Sequence, residues 1–409
     1  MFGSPRVISL RVPDIEEGKT WYRKTLNQEP IFDAPFAVVF SVGDCALILL
    51  PGDDSAHPDE RCVAFFEVDD IEQAYDRLLS AGATPRSEIT FTMLQSRTAK
   101  VADPFGNVIG ITSTVEKAKS VESRPSESAM TVAFSRALAA HDDREGLHGP
   151  DYLAEVFLNE EGKRVLEDKV GREWIMKKMI GTHEYFLART RYLDGIVENA
   201  LRDNVPQLVL LGAGYDSRPY RFRDRIRSTR IFELDVEPTQ QRKRALLQRA
   251  GVSIPEQLVY VTANFEKESF LDSLVRAGFD RRQKTLFVWE GVTYYLGAPS
   301  VNETLEAVRS QVGGGSAISF DYLIQAPDLV SRYAVKTVLE AWRTAYSGEP
   351  VRFGIDEGTI ATFLSERGYR LVEHLGPEDL ERRFLLRSDG TIAGRVVAMF
   401  GLVHALIAD

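Results

Sequence analysis

The sequence predicts two α/β domains in series. The first is a small α+β domain of two βαβββ units, and the second is a larger domain on a doubly wound parallel sheet closed by an antiparallel edge hairpin. Three observations lead there. A chain of 409 residues exceeds what one hydrophobic core usually supports. A strand, helix, strands pattern runs twice through residues 4–115. Beyond it, the apolar run Gln207-Leu208-Val209-Leu210-Leu211 opens into Gly212-Ala213-Gly214, and a second buried strand, Ile231-Phe232-Glu233-Leu234-Asp235, ends in carboxylates.

In the first domain, residues 6–12 and 36–50 read as strands from their β-branched and aromatic content, with a helix over 15–26 between them. The pattern returns with a strand over 62–68, an amphipathic helix over 71–81 stopped by Gly82, and strands over 96–102 and 108–112 flanking the turn Asp103-Pro104-Phe105-Gly106-Asn107. One curved sheet from each unit, the two enclosing a cleft, is the expected arrangement. Through Val12-Pro13-Asp14, Trp21-Tyr22, Phe66-Glu67-Val68-Asp69-Asp70 and the 103–107 turn, this stretch resembles the vicinal-oxygen-chelate superfamily, the glyoxalase and bleomycin-resistance fold. Its enzymes hold a divalent metal through His or Gln on the first strand of each unit and Glu on the last. The matching positions here are Val7, Val63 and Gly110, whose side chains offer no lone pair, so no metal is expected. The domain reads as a recognition or homodimer-forming module, with His57 a solvated loop residue.

Residues 113–128 are polar and nearly free of large apolar side chains, which divides the chain into 1–115, a linker over 116–127, and 128–409. Helices are expected over 129–140, 152–158 and 172–198, then strands over 208–212, 230–235, 259–262, 285–289 and 316–322 alternating with helices. The pair 369–375 and 395–405 shows no periodic helical connection and reads as the edge hairpin.

Composition narrows the function classes. A net charge of −10 argues against a broad electrostatic grip on nucleic acid. No apolar stretch approaches the roughly 20 residues a bilayer span needs, and residues 1–13 lack a secretory leader pattern, so a cytoplasmic protein without membrane contact is expected. Cys45 and Cys62 read as buried free thiols.

The glycine turn defines a nucleoside-cofactor site. A dinucleotide turn wants a third glycine where Ser217 stands, and Asp216 would repel a diphosphate. S-adenosylmethionine has no phosphate, and its ribose hydroxyls and ammonium suit acidic partners; it therefore ranks ahead of NAD.

Four blocks make residues 128–409 similar to the leucine carboxyl methyltransferase family, including its bacterial natural-product branch: Leu187-Ala188-Arg189-Thr190-Arg191, Leu211 through Arg218, Phe232-Glu233-Leu234-Asp235, and Trp289-Glu290-Gly291-Val292-Thr293-Tyr294-Tyr295-Leu296. A parallel sheet closed by an antiparallel pair is the Rossmann-like layout of class I methyltransferases. The resemblance implies that Arg189 meets the cofactor carboxylate, that Gly212, Ala213, Gly214 and Asp216 form the turn under its methionyl end, and that Asp235 or Glu233 takes the ribose, unless Glu233 pairs with a nearby base. Glu290 falls near the cofactor amine, and Asn264, followed by Phe265, replaces the family's adenine-binding Asp with a neutral acceptor.

Methyl transfer to a carboxylate needs no general base, because the nucleophile is ionised at neutral pH. The sequence matches that economy, with its histidines scattered; His183 is a weak base candidate, and Tyr294, Tyr295 and Tyr322 follow strand ends where substrates lie. The expected activity is O-methylation of a small natural-product carboxylate, the first domain serving substrate recognition or dimer contacts. Alternatives are a phenol or alcohol acceptor requiring a base such as His183, a protein C-terminus as acceptor, and a ligand-sequestering resistance protein with a vestigial methyltransferase domain.

Overall fold

The structure is a computed structural model that describes residues 5–43, 45–51, 62–91, 96–103, 108–114, 125–264, 269–345 and 351–408. The chain divides into two compact units, Met1–Ala118 with Arg164–Ile175, and Lys119–Lys163 with Met176–Asp409. The sequence division put residues 164–175 in the larger domain. They group with the first unit, where Trp174 packs edge-on against Phe32 at 5.3 Å and Phe36 at 5.5 Å.

The first unit carries β1 (Pro5–Val12), β2 (Phe32–Ala34), β3 (Ala37–Val42), β4 (Cys45–Pro51), β5 (Cys62–Glu67), β6 (Thr84–Pro85), β7 (Thr90–Phe91), β8 (Ser96–Ala102) and β9 (Val108–Thr114). Its helices start on the same device. Asp14 caps Ile15–Leu26 by accepting from the Glu17 N–H, and Asp70 caps Ile71–Ser80 by accepting from the Gln73 N–H. The two βαβββ units do not form separate sheets. β1 and β5 pair antiparallel, with Val7 opposite Phe65 and Ser9 opposite Val63, which joins them into one sheet of order β2-β3-β4-β1-β5-β9-β8-β6, with β7 on β8. Pairing the two edges satisfies backbone groups that separate sheets would leave open. The strand expected over 36–50 is a hairpin, β3 and β4, turned at Gly43 with φ +58. At Gly110 a Cβ would lie 2.4 Å from Phe65 Cδ1, so an aromatic ring crosses the strand position matched to a metal ligand. His57 and residues 104–107 lie outside the described residues. The cysteines depart from expectation: Cys62 is exposed and Cys45 only partly covered, both as free thiols.

The second unit's sheet runs β12 (Leu258–Thr262), β11 (Arg230–Asp235), β10 (Gln207–Leu211), β13 (Thr285–Trp289), β14 (Ala317–Gln325), β17 (Phe400–Ile407), β16 (Tyr369–Leu375), with β15 (Ile355–Asp356) on β14. The first five are parallel, and β17 is antiparallel to both its neighbours. Alternation along β10 sends Leu208 and Leu210 into one core and Val209 and Leu211 into the other, so helices cover both faces. This is the doubly wound sheet with its antiparallel pair at one edge.

Three local expectations change. The helix expected over 172–198 is two, Lys169–Lys178 and Thr182–Arg202, because Gly181 adopts φ +71 between them. Its carbonyl accepts from Val397 N–H at 2.9 Å, and a Cβ there would lie 2.7 Å from that nitrogen. Residues 152–158 form only a 3-10 turn, Ala154–Phe157. The connection between β16 and β17 contains a helix, Pro377–Phe384, too short for periodicity to reveal. Among the described residues no helix is long and apolar enough to cross a membrane.

Candidate functional site

The parallel strands β10, β11, β12 and β13 end along one edge, and the turns leaving them carry the polar groups. After Leu211 the backbone enters Gly212 at φ +65 and Gly214 at φ +48. Both positions are closed to side chains: a Cβ on Gly212 would stand 2.5 Å from Val292 Cγ2, and one on Gly214 3.2 Å from Ala129 Cβ. The turn is pinned to the neighbouring strand, Ala213 N–H donating to Leu234 O at 2.8 Å and Gly214 N–H to Asp235 Oδ2 at 2.5 Å. Val236 N–H holds the other Asp235 oxygen at 2.7 Å. Asp235 thus faces the glycine turn with its carboxylate oriented by two backbone donors, and Ala263 N–H donates to Asp235 O at 3.1 Å, bringing Asn264 to the same rim.

Beside this turn runs an unbroken chain of buried charges. Arg136 Nη1 lies 3.2 Å from Asp151, which lies 3.2 Å from Arg221. Arg221 and Arg218 share Asp194 at 2.8 Å each, and Arg218 reaches Asp216 and Glu290 at 2.7 Å each. Arg189 then contacts Glu290 at 2.9 Å and Asp321 at 2.6 Å. Asp321 also accepts from Tyr185 Oη at 2.8 Å and from Gly291 N–H at 2.6 Å. The helix Thr182–Arg202 puts Tyr185 and Arg189 one turn apart on one face, so both reach the same carboxylate. Burial works against a charged Glu290, yet Arg218, Arg189 and Arg136 hold its carboxyl below the ordinary value. Burial is not repaid everywhere: Arg218 Nη2 and Arg136 Nε are enclosed without a hydrogen bond, and Arg189 Nε is out of line with its Glu290 contact.

The predicted residues separate into those brought to this edge and those withdrawn from it. Gly212, Ala213, Gly214, Asp235, Asn264, Arg189 and Glu290 converge. Asp216 is committed to Arg218, through its backbone N–H at 2.8 Å and Nη1 at 2.7 Å, and serves the ion-pair chain. Glu233 is a correction. It is fully buried with Lys243 Nζ at 2.8 Å, and burial pushes its carboxyl up to about 7 despite that partner. That leaves Asp235 as the carboxylate of β11 that faces the glycine turn. His183 is also withdrawn: it is fully buried with Nε2 at 3.3 Å from Asp142 Oδ2. Burial would push the Asp142 carboxyl up, but His183 and Arg144 hold it well below the usual range. Tyr322 belongs to the core, its hydroxyl paired with His374 Nε2 at 3.0 Å. Tyr294 is buried with its hydroxyl 3.5 Å from Arg189 Nη1, and Tyr295 packs on it at 4.8 Å, so this pair does stand beside the charges. Phe265 lies outside the described residues.

Sequence reasoning missed Asp321, and left Arg218 without a role. Asp321 carried a signal: it is a lone carboxylate inside the apolar run Ala317-Ile318-Ser319-Phe320-Asp321-Tyr322-Leu323, where burial demands a cation.

The leucine carboxyl methyltransferase profile matches residues 129–309, and that of the glyoxalase/bleomycin resistance protein/dioxygenase superfamily matches residues 5–111. Two bacterial relatives share the name "Putative S-adenosyl-L-methionine-dependent methyltransferase". YktD of Bacillus subtilis is 32% identical over 48% of this chain and 65% of its own length. A Mycobacteroides abscessus protein is 30% identical over 49% of this chain and 68% of its own. The chain thus spans just under two thirds of YktD. A solved DUF574 family protein from Streptomyces avermitilis is 14% identical, over 70% of this chain and 98% of its own, with a TM-score of 0.47. The chain belongs to the leucine carboxyl methyltransferase family of S-adenosyl-L-methionine-dependent methyltransferases, with a glyoxalase-type domain ahead of it.

S-adenosyl-L-methionine is the cofactor of that family, and the residues present fit it. The glycine turn leaves no space for a Cβ, Asp235 ends β11 as an oriented acceptor, and the unmet Arg218 Nη2 donor, on the guanidinium that holds Glu290, suits an amino-acid end group.

Proposed function

We propose that this protein transfers a methyl group from S-adenosyl-L-methionine to a carboxylate oxygen of a small molecule. The cofactor, when bound, supplies an electrophilic methyl on a sulfonium. Gly212 and Gly214 admit its methionyl end against the backbone, and Asp235 accepts from the ribose hydroxyls. Asn264 accepts from the adenine amino group. Glu290 and Arg189 take the amine and the carboxylate. An already ionised acceptor oxygen then needs alignment and exclusion of water, with no proton to remove.

One observation carries the choice of a carboxylate over a hydroxyl acceptor. Among the described residues the histidine considered as a base, His183, is sealed against Asp142, while His141 pairs with Glu155, His374 with Tyr322 and His404 with Ser319, and His148 is exposed. The first domain is proposed to contribute acceptor recognition. Incubating the full chain with labelled cofactor and a panel of carboxylic acids, phenols and alcohols, read by mass spectrometry, tests the reading. Methyl esters are expected, and methyl ethers alone would overturn it.

A further inference from the structure

Asp321 does more than balance one arginine. It is fully buried on β14, and its two oxygens take three donors: Gly291 N–H on one, Arg189 Nη1 and Tyr185 Oη on the other. Gly291 follows Glu290 directly and adopts φ +73, with a Cβ there only 3.3 Å from Arg189 Nη1. One carboxylate therefore fixes both the guanidinium and the peptide from which Glu290 projects.

The same residue enters a charge count. Among the described residues the contiguous chain holds four guanidiniums, Arg136, Arg189, Arg218 and Arg221, and five carboxylates, Asp151, Asp194, Asp216, Glu290 and Asp321. One negative charge is in excess, in a setting where water screens little. S-adenosylmethionine carries one positive charge more than S-adenosylhomocysteine, because methyl transfer removes the sulfonium.

We propose that Asp321 is a positioning and specificity-determining residue: it aims Arg189 and Glu290, and as one of five carboxylates set against four guanidiniums it makes the site favour the cationic cofactor over the neutral product. The inference rests on the S-adenosylmethionine reading above and deepens it. Position and charge make separable demands. Cofactor and product share the amino-acid end that Arg189 and Glu290 address, so a loss of aim weakens both. A loss of charge weakens the cofactor alone.

Calorimetric titration of S-adenosylmethionine and S-adenosylhomocysteine into the full chain tests this, with the ratio of the two Kd values as the readout. Asp321→Asn is expected to weaken both ligands and to cost the cofactor about five- to tenfold more than the product. Asp321→Glu keeps the charge and loses the aim, so both ligands weaken and the wild-type ratio returns. Asp151→Asn neutralises the far end of the chain without touching Arg189 or Glu290, and remains informative if the Asp321 variants do not fold. It is expected to weaken the cofactor at least twofold and leave the product unchanged. A ratio unmoved in Asp321→Asn and Asp151→Asn overturns the proposal while leaving the methyltransferase reading intact. No binding of either ligand to the wild type removes both.

Discussion

Asp321 and Arg189 meet at 2.6 Å with both side chains sealed from water, and the contact joins β14 to the helix Thr182–Arg202 across the end of β13. A buried ion pair of this kind stabilises little over an apolar substitute, but removing one partner strands the other. Asp321→Ala is therefore expected to destabilise the protein by about 3–5 kcal/mol, measured by denaturant unfolding. The exposed pair Arg332 and Glu357 at 2.7 Å is the contrast, and Arg332→Ala should barely move the transition.

Glu233 and Lys243 give a pH-dependent signature. The folded Glu233 carboxyl is raised to about 7, above an unfolded value of about 4.3, so the native state binds the proton more tightly. Its contribution is fully present below the unfolded value and is lost as pH rises through about 7. Stability of Glu233→Gln minus that of wild type should accordingly grow between those limits in melts taken across the range. A difference that stays flat would mean Glu233 is ionised throughout.

Gly212→Ala combines a left-handed backbone, worth about 1–2 kcal/mol against a side chain, with a methyl 2.5 Å from Val292 Cγ2. Lower thermal stability and weakened cofactor binding are expected together. Val292→Ala in the same background should recover part of each loss, since it removes the clash and leaves the φ penalty.

His183 is expected to matter for folding and not for proton transfer. His183→Asn should lower the melting temperature through loss of the Asp142 contact, and the wild-type rate should show no rise through about 6.5, the ordinary histidine value. Such a rise, abolished in His183→Asn, would restore the hydroxyl-acceptor reading.

Much of this fold was legible because its signals are local. The five buried residues of β10, the glycines after them and Asp235 at the end of the next strand need no tertiary knowledge to recognise. What stayed hidden depends on partners far apart in the chain. Glu233 and Asp235 stand two apart and share one face of β11, and only the packed structure shows that Glu233 is closed off by Lys243 while Asp235, at the strand end, meets the glycine turn. Asp321 looks like an isolated polar residue until Arg189, 132 residues away, closes on it. Gly181 reads as an interior helix residue, and the break there follows from its carbonyl meeting Val397. The single sheet of the first unit was equally invisible, since strand periodicity does not say which edges join.

The central claim is that the glycine turn and Asp235 form a site for S-adenosyl-L-methionine, and equilibrium titration of that cofactor into the full chain and into Asp235→Ala tests it most directly. Loss of a hydrogen-bonded carboxylate is worth about 1.5–3 kcal/mol, so saturable one-to-one binding by the wild type, weakened at least tenfold in an Asp235→Ala variant that still unfolds cooperatively, is the predicted result. Equal binding by both proteins, or none by the wild type, would contradict it.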